Sequence, residues 1–410
     1  MSSAISAGDT GFMLICAAFV MIMTPGLAFF YGGLSRRKNV VNTMMMSIAT
    51  MGLASVLWMI CGYSLSFSGG EGGFLGNFKW AFFNNVSMNE PGPYADTIPN
   101  MGFAAFQMMF AMITPALLTG SIAGRMKFKA IFLFIGLWLF AVYFPMAHMV
   151  WGKGIIDKLG AVDFAGGNVV HISSGISALI LAIILGKRKD FGKNTIVPHH
   201  IPFVVLGASL LWFGWFGFNA GSSLRADGLA VHALLTSNTS AVCAMLSWML
   251  IDVIKDGKPT LVGACTGAVA GLVAITPGAG FVPIWASFII GALVSPVCYM
   301  AMSVLKPKLG IDDALDAFGC HGVGGLYGCI VTGLFADPAV NGRVGLFFGS
   351  ADLLVSQLIS IVITVALAAV GTLVCVGIVK IFTPLRVDPE DEARGIDECE
   401  HGEIAYNSFH

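Results

Sequence analysis

Eleven long apolar stretches, separated by short polar breaks or by breaks marked with glycine and proline, constrain this sequence more than any other feature. A helix needs about 20 mostly apolar residues to cross the hydrocarbon core of a membrane. The sequence therefore predicts an all-α polytopic membrane protein with eleven transmembrane helices. We place these spans near 10–32, 40–67, 98–122, 128–149, 162–186, 200–220, 227–252, 260–276, 282–305, 315–336 and 350–380.

The composition excludes several other classes of protein. Hydrophobic residues make up 56% of the chain and charged residues 11%, whereas a soluble domain carries roughly 25% charged residues. A formal net charge of -1 provides no basic field for nucleic acid, so we exclude nucleic acid as a partner and expect membrane lipid instead. We expect no cofactor and no enzymatic activity.

The distribution of Lys and Arg predicts the orientation of the chain, because basic loops resist translocation and stay in the cytoplasm. Loops after the odd-numbered spans, together with the tail, hold 17 of the 22 basic residues, and the opposite face holds the other five. We therefore expect an inner or plasma membrane protein with its N-terminus outside and its C-terminus in the cytoplasm. The chain starts without a basic n-region, so we expect the first span to be retained.

An odd number of spans allows the first ten to form two halves of opposite orientation. Spans 1 to 5 and 6 to 10 would enter the membrane from opposite sides, which is the geometry of an inverted repeat. We therefore predict a transmembrane domain at 1–384, with five-span repeat halves near 10–186 and 200–336 and a last helix near 350–380. A cytoplasmic tail would follow at 385–410.

A partial sequence echo supports this inverted repeat. The fifth span carries Asp163 ahead of His171, and the tenth carries Asp316 ahead of His321, each histidine being followed four residues later by glycine. The spacing from Asp to His is eight residues in the first case and five in the second, so the two halves match only in part.

His171 and His321 are the ionisable residues that lie deepest in the apolar spans. Such groups are costly in lipid and often mark a transport path. A single buried histidine is also an ordinary structural hydrogen-bonding residue. Two histidines in matching spans of a repeat would instead face one central path, where neutral imidazole donates through one nitrogen and accepts through the other. Such a pair could hydrogen-bond a small neutral solute and relay a proton.

Three aspartates stand near the starts of the histidine-bearing spans. Asp163 begins the fifth span, and Asp313 and Asp316 open the tenth. Aspartate commonly caps the start of a helix, and capping would explain all three. Asp163 could also contact a cation directly, and the two roles are compatible because a buried carboxylate makes the nearby field negative.

Aromatic residues at three places suggest a site for a cation. Phe106 and Phe110 lie in the third span, Trp151 at the end of the fourth, and Phe218 in the sixth. Aromatic faces attract small cations, and the Ser222 hydroxyl could add an acceptor oxygen. The alternatives are core packing for the phenylalanines and a membrane-interface position for Trp151.

The cysteines and the tail are less informative. Most of the nine cysteines lie within apolar runs, as small core residues do. Cys320 lies beside His321, but two adjacent ligands cannot complete a zinc site, so we predict no metal. The tail from Leu385 onward is rich in Asp and Glu and is either solvated or a protein-binding element.

Six motifs follow one another along nearly the whole chain, and together they resemble the Amt/Mep/Rh ammonium transporters, bacterial Amt proteins in particular. The motifs are Pro25-Gly26 with Phe30-Tyr31-Gly32-Gly33, Ala147-His148-Met149-Val150-Trp151-Gly152, Asp163-Phe164-Ala165-Gly166-Gly167 through Val170-His171, Gly214-Trp215-Phe216-Gly217-Phe218-Asn219-Ala220-Gly221-Ser222, Gly319-Cys320-His321-Gly322-Val323, and His401-Gly402-Glu403.

The resemblance implies an ammonium transporter with eleven spans and an inverted repeat, assembled as a homotrimer with one pore per subunit. It also implies that a trimeric PII-type signalling protein docks on the cytoplasmic loops and tail and closes the inner mouth. The roles that it implies for individual residues are an outer ammonium site at Phe106, Trp151 and Ser222, a gate at Phe110 and Phe218, a pore lined by His171 and His321, and a transport acid at Asp163.

Ammonium and potassium ions are similar in size, so selection must use the ability of ammonium to donate hydrogen bonds and lose a proton. A bare cation in an apolar pore costs on the order of tens of kcal/mol, whereas ammonia carries only the smaller cost of a neutral polar group. We therefore expect deprotonation beneath the outer site, passage of ammonia, and separate transfer of the proton.

Three other functions compete with this interpretation. A membrane haem protein could use His171 and His321 as axial ligands, but their glycine-rich surroundings do not indicate a pocket for a planar cofactor. An ammonium sensor could signal through the acidic tail, although we expect no kinase or cyclase domain after it. Transport of another neutral gas in the Rh manner is disfavoured by aromatic and serine residues that suit a cation.

Overall fold

The computed structural model describes residues 5–189, 191–192 and 197–406. Within these residues, ten helices are long and apolar enough to cross a membrane, and one further apolar helix is shorter. Each coincides with a predicted span, so the all-α polytopic fold is confirmed. The spans, numbered 1 to 11 in chain order, are Ala7–Leu34, Arg37–Phe67, Asn100–Ile122, Phe128–Lys158, Gly167–Leu185, Ile201–Ser223, Gly228–Asp256, the shorter Leu261–Ile275, Ile284–Leu309, Phe318–Phe335 and Asp352–Phe382.

Local sequence signals set several ends of these spans. The Asp227 carboxylate accepts the backbone N–H of Ala230 at 2.9 Å where span 7 begins. The Thr260 hydroxyl accepts the N–H of Gly263 at 2.9 Å where span 8 begins. Gly257 ends span 7 with φ of 76°, a left-handed conformation that glycine adopts without strain.

The bundle has two ends, which we call the N-terminal face, where span 1 begins, and the C-terminal face, where it ends. A long connection on the N-terminal face, residues 68–99, contains a two-stranded antiparallel sheet that the sequence analysis did not predict. Strand β1 (Pro91–Gly92) pairs with strand β2 (Ala95–Pro99). The ring of Tyr63 at the end of span 2 stacks on Trp80 of this connection with 5.3 Å between centroids, which ties the connection to the bundle.

Among the described residues, five of the spans contain a π-turn, a local widening of the helix by one residue that often occurs at functional sites. Among the described residues, the turns of spans 4 and 9 are Leu139–Tyr143 and Ala301–Leu305, and those of spans 5 and 10 are Gly167–Ile172 and Phe318–Gly322. A fifth turn, Trp58–Gly62, lies in span 2. Because spans 4 and 5 correspond to spans 9 and 10 in the predicted inverted repeat, the paired turns support that repeat.

Spans 5 and 10 touch backbone to backbone. A Cβ atom built on Gly175 would lie 2.2 Å from the backbone nitrogen of Gly322, closer than any real Cβ contact. Spans 1 and 6 meet in the same way, since a Cβ on Gly207 would lie 2.2 Å from the backbone nitrogen of Phe30. Only glycine fits at these crossings, and small residues at such positions let membrane helices approach closely.

The tail packs against the C-terminal face as far as residue 406, instead of extending into solvent. Its short helices are Pro389–Arg394 and Ile396–His401. The Arg386 guanidinium donates to the carbonyl oxygens of Leu185 and Lys187, each at 2.8 Å, and pairs with Glu392. The Asp397 carboxylate accepts the N–H of Asn42 at 2.8 Å. The predicted end of the tail, residues 407–410, lies outside the described residues.

A buried charge cluster on the C-terminal face links three connections between spans. Arg125 is fully buried and pairs with Asp312 at 3.3 Å, and Asp312 also accepts from Nε of Arg188 at 2.8 Å. Burial lowers the pKa of Arg125 to about 10. Burial acts to raise the pKa of the Asp312 carboxyl, but the hydrogen bond from Arg188 and the two guanidinium charges outweigh it and the net shift is downward.

Candidate functional site

His171 and His321 meet inside the bundle. Their Nδ1 atoms lie 3.3 Å apart, and their rings are nearly parallel, with 14° between planes and 5.3 Å between centroids. The residues are 1% and 4% exposed. A hydrogen bond between two Nδ1 atoms contains one proton, so one ring presents an accepting Nε2 and the other a donating Nε2–H. The pair therefore offers both kinds of hydrogen bond to a small solute.

Each histidine lies in a π-turn whose start is capped by an aspartate eight residues earlier in the chain. The Asp163 carboxylate accepts four backbone N–H groups, those of residues 166 to 169, at 2.6 to 3.2 Å. The Asp313 carboxylate accepts three, those of residues 317 to 319, at 2.9 to 3.4 Å. The expected capping roles of Asp163 and Asp313 are confirmed.

The pairing of Asp163 with Asp316 in the sequence echo was wrong, because Asp313 is the structural counterpart. The signal was available in the sequence, since Asp313 precedes His321 by the same eight residues that separate Asp163 from His171. Asp316 caps no helix by its side chain; its carboxylate instead forms an ion pair with Lys306 of span 9.

Asp163 and Asp313 precede the spans that they cap, and both carboxyls are buried. Burial raises the pKa of each. For Asp163 the four backbone N–H groups act in the opposite direction and stabilise the carboxylate. For Asp313 the neighbouring Asp316 carboxyl adds to the upward shift of the pKa, and the Lys306 ammonium opposes it. The two carboxyls thus serve as hydrogen-bond acceptors that fix the turns carrying the histidines.

A cluster of aromatic rings, each in contact with the next, lies between the histidines and the N-terminal face. The Phe218 ring lies 6.3 Å from the His171 ring and 4.3 Å from the Phe110 ring, centroid to centroid. The Phe110 ring in turn lies 5.6 Å from Trp151 and 5.0 Å from Phe106, which is fully buried. Phe110 and Phe218 therefore lie between Trp151 and His171 in this series of ring contacts.

A cavity of about 270 Å³, the N-side cavity, opens on the N-terminal side of this aromatic cluster. Trp151 and Ser222 line it, together with Asp163 and Gln107. The Trp151 indole donates to the Asp163 carbonyl oxygen at 2.9 Å, which fixes the ring, and Ser222 donates to the Phe218 carbonyl oxygen at 2.9 Å. The Ser222 oxygen keeps its lone pairs as acceptors facing the cavity.

The sequence analysis missed Phe103, which lines the N-side cavity, whereas Phe106 packs behind it and is not among the described lining residues. A signal was present, since Phe103, Gln107 and Phe110 follow one another at the three- and four-residue spacing of a single helix face.

A larger cavity of about 690 Å³, the C-side cavity, runs from the histidines to the C-terminal face. Its wall near the histidines is apolar and aromatic, with Trp215 and Phe218 beside the two imidazoles. The Trp215 indole donates to the Thr276 hydroxyl at 2.9 Å, and its ring stacks on His171 at 5.5 Å. The sequence analysis did not predict this cavity, because it is a gap between spans that are far apart in the chain.

An apolar path through one helical bundle, with a cavity at each end and paired imidazoles within it, defines a membrane transport protein for a small solute. A sequence profile for the Ammonium Transporter Family matches residues 11–406. The chain is 50% identical to an ammonium transporter of Bacillus subtilis over 97% of this chain and 98% of that one. The chain therefore belongs to the Ammonium Transporter Family, whose members are transporters rather than enzymes.

Solved structures agree with this assignment. Mep2 of Saccharomyces cerevisiae matches with a TM-score of 0.88 and 36% identity, covering 95% of this chain and 89% of that chain. A solved sensor Amt protein matches with a TM-score of 0.87 and 27% identity, covering 96% of this chain and 98% of that chain.

Proposed function

We propose that this chain transports ammonium by binding the cation in the N-side cavity, removing a proton, and conducting ammonia past His171 and His321. The observation that carries the proposal is the 3.3 Å contact between the two Nδ1 atoms inside an otherwise apolar passage. A buried pair that offers one donor and one acceptor suits neutral ammonia, which also has both. The cost of placing a bare cation in such a passage argues for deprotonation before the gate.

The outer steps use the residues around the N-side cavity. Trp151 supplies an aromatic face and Ser222 an acceptor oxygen, and Phe106 completes the aromatic wall from behind. The Asp163 carboxylate caps the π-turn that carries His171 and makes the electrostatic field near the N-side cavity negative. We propose that these two effects are its role as the transport acid. Phe110 and Phe218 act as the gate, because their rings contact each other at 4.3 Å between Trp151 of the N-side cavity and His171 of the C-side cavity. The proton crosses separately, through polar groups that include the imidazole pair.

The cell context follows from charge and from family membership. The bias of Lys and Arg to the C-terminal face supports an inner or plasma membrane with that face in the cytoplasm. We propose a homotrimer with one pore per subunit, and a PII-type signalling protein as the partner at the docked tail and loops of the C-terminal face.

The test is ammonium-evoked current in proteoliposomes, with potassium as the control ion. We expect a native ammonium current that His171→Ala and His321→Ala abolish or convert into a potassium leak. His232→Ala is the matched control, since His232 is partly buried and bonded to the Val282 carbonyl oxygen away from the path. Wild-type behaviour of both pore variants would refute the twin-histidine path.

The second candidate is an ammonium sensor that signals through its tail with little flux. Two observations favour it, the likeness to the solved sensor Amt protein and the docking of the tail against the span connections. A pH dye inside the same vesicles separates the candidates. After ammonium is added, a transporter makes the internal pH change faster than in protein-free vesicles, with or without current. With a sensor, the internal pH changes at the same rate as in protein-free vesicles.

A further inference from the structure

The C-side cavity contains charged groups that the proposed path does not use. Arg188, Lys306 and Asp316 line it, and Asp316 is the one carboxylate among the described lining residues. Arg188 pairs with the buried carboxylate of Asp312, with its Nε at 2.8 Å from Oδ2, and Asp312 also pairs with Arg125. Among the described lining residues, the charged groups outside this arginine–aspartate cluster are Lys306 and Asp316.

The Lys306 ammonium group is held by two oxygen atoms. It donates to the Asp316 carboxylate and, at 3.1 Å, to the carbonyl oxygen of Asp313. The two side chains are 22% and 37% exposed, so water-sized solutes reach them. A carboxylate beside a carbonyl oxygen accepts N–H donors from any primary ammonium or from the ammonium ion itself.

The backbone fixes the Asp316 carboxylate relative to the pore. Asp316 has φ of 59°, a left-handed conformation that residues other than glycine adopt rarely. Its carbonyl oxygen accepts the N–H of Cys320 at 2.9 Å, within the π-turn that carries His321. Unusual backbone of this kind concentrates at functional sites, where the surrounding structure holds it in place.

We infer that the Asp316 carboxylate and the Asp313 carbonyl oxygen form a second ammonium site at the C-side end of the path, and that Lys306 is a tethered competitor for it. The inference rests on the proposed function, since it concerns the same solute after it has passed the histidines. The Lys306 ammonium presents the same N–H donors as the free ion. A tethered group acts at an effective concentration on the order of millimolar, so ammonium below that concentration leaves the lysine in place. The site therefore releases ammonium to the C-terminal face and rebinds it poorly.

The test compares half-saturating ammonium concentrations from the two faces in proteoliposomes of one orientation. Lys306→Met removes the ammonium group and keeps an apolar stem of similar length. We expect it to lower the half-saturating concentration from the C-terminal face by about tenfold, and to leave the value from the N-terminal face unchanged. Lys308→Met is the matched control, because it removes an exposed lysine two residues away and should alter neither value.

Two further variants decide the outcome. The double variant Lys306→Met with Asp316→Asn should not show the lowered half-saturating concentration from the C-terminal face, since the carboxylate that binds the ion is gone. Lys306→Arg should keep the half-saturating concentration of the native protein. An unchanged C-face value in Lys306→Met, an equal change at both faces, or a gain that survives in the double variant would overturn the inference. If Lys306→Met cannot be reconstituted into vesicles, Asp316→Asn alone tests the inference. It must raise the half-saturating ammonium concentration from the C-terminal face and leave that from the N-terminal face unchanged. Failure of the proposed function is distinct, since the native protein would then show no ammonium flux from either face.

Discussion

The Nδ1 atoms of His171 and His321 lie 3.3 Å apart, although 150 positions separate the two residues in the chain. Each ring comes from a different half of the predicted inverted repeat, and each is positioned in the same way, by a π-turn capped by an aspartate eight residues upstream. One proton is shared between them. The pair is therefore a single unit whose properties belong to neither residue alone.

The shared proton predicts strong coupling between the two histidines. His171→Gln and His321→Gln should each reduce ammonium flux, and the double variant should be only slightly worse than either single one, because the first substitution already breaks the pair. We expect a coupling energy of about 1–3 kcal/mol from the cycle of flux measurements. Independent, additive losses would show that the rings act separately.

The two capping aspartates should differ in importance. Asp163→Asn leaves one acceptor oxygen for four backbone N–H groups, whereas Asp313→Asn leaves one for three. Each buried N–H without a partner costs about 1–3 kcal/mol, so both variants should lose flux and thermal stability, and Asp163→Asn more of each. Asp157→Asn removes an exposed acid from the N-side cavity and is the control for loss of charge. Equal behaviour of all three variants would argue against the capping explanation.

Removing a ring from the gate should join the two cavities. The rings of Phe110 and Phe218 lie 4.3 Å apart, and Phe218→Ala replaces one of them with a methyl group. We expect osmotic water permeability and potassium leak of proteoliposomes to rise at least several-fold, because water then reaches the histidines from both sides. Phe78→Ala, at a ring that is 67% exposed on the N-terminal face, should change neither measurement. If Phe218→Ala left water permeability and potassium leak unchanged, the barrier between the two cavities would lie elsewhere than at these rings.

The stability of the C-terminal face should depend on pH through Asp312. Its pKa is lowered from the ordinary value of 3.8, so its contribution is present above that value and disappears as the pH falls through the lowered pKa. At neutral pH, Asp312→Asn should lower the free energy of unfolding by about 3 kcal/mol, since Arg125 is left buried with its charge uncompensated.

The difference in melting temperature between the native protein and Asp312→Asn should shrink in detergent solution as the carboxylate is protonated. Asp388→Asn, at a surface pair with Lys127, should have no measurable effect at any pH. A difference for Asp312→Asn that does not vary with pH would rule out its ionised form as the source of the stability.

Hydropathy alone predicted the helical fold, because a membrane demands about 20 apolar residues per crossing and tolerates few ionisable groups. The same rule drew attention to His171 and His321. The span edges near the site were less accurate. The predicted fifth span began at 162, whereas the helix begins at Gly167, because Asp163 folds back to cap its first turn.

Features that depend on contacts between distant residues could not be predicted in this way. The docked tail depends on a hydrogen bond from Arg386 to the carbonyl oxygen of Leu185, 201 positions away, and no local sequence pattern predicts such a contact. The π-turns depend on how neighbouring helices pack. The partnership of Asp313 with Asp163 was readable in their spacing, but Asp316 stands nearer to His321 and has the same chemistry, so only the hydrogen bonds distinguish the two.

The contact between Gly175 and Gly322 bears on how the protein works over time. Carriers that alternate between inward-open and outward-open forms rock one repeat against the other. Here spans 5 and 10, one from each predicted repeat, meet backbone to backbone beside the imidazoles, at a separation that leaves no room for one to slide past the other. The transport rate should then be set by how fast solute and protons move along a path between helices that keep their positions. We therefore expect the rate to rise only weakly with temperature. Its Arrhenius slope should be nearer to that of diffusion than to that of a domain movement.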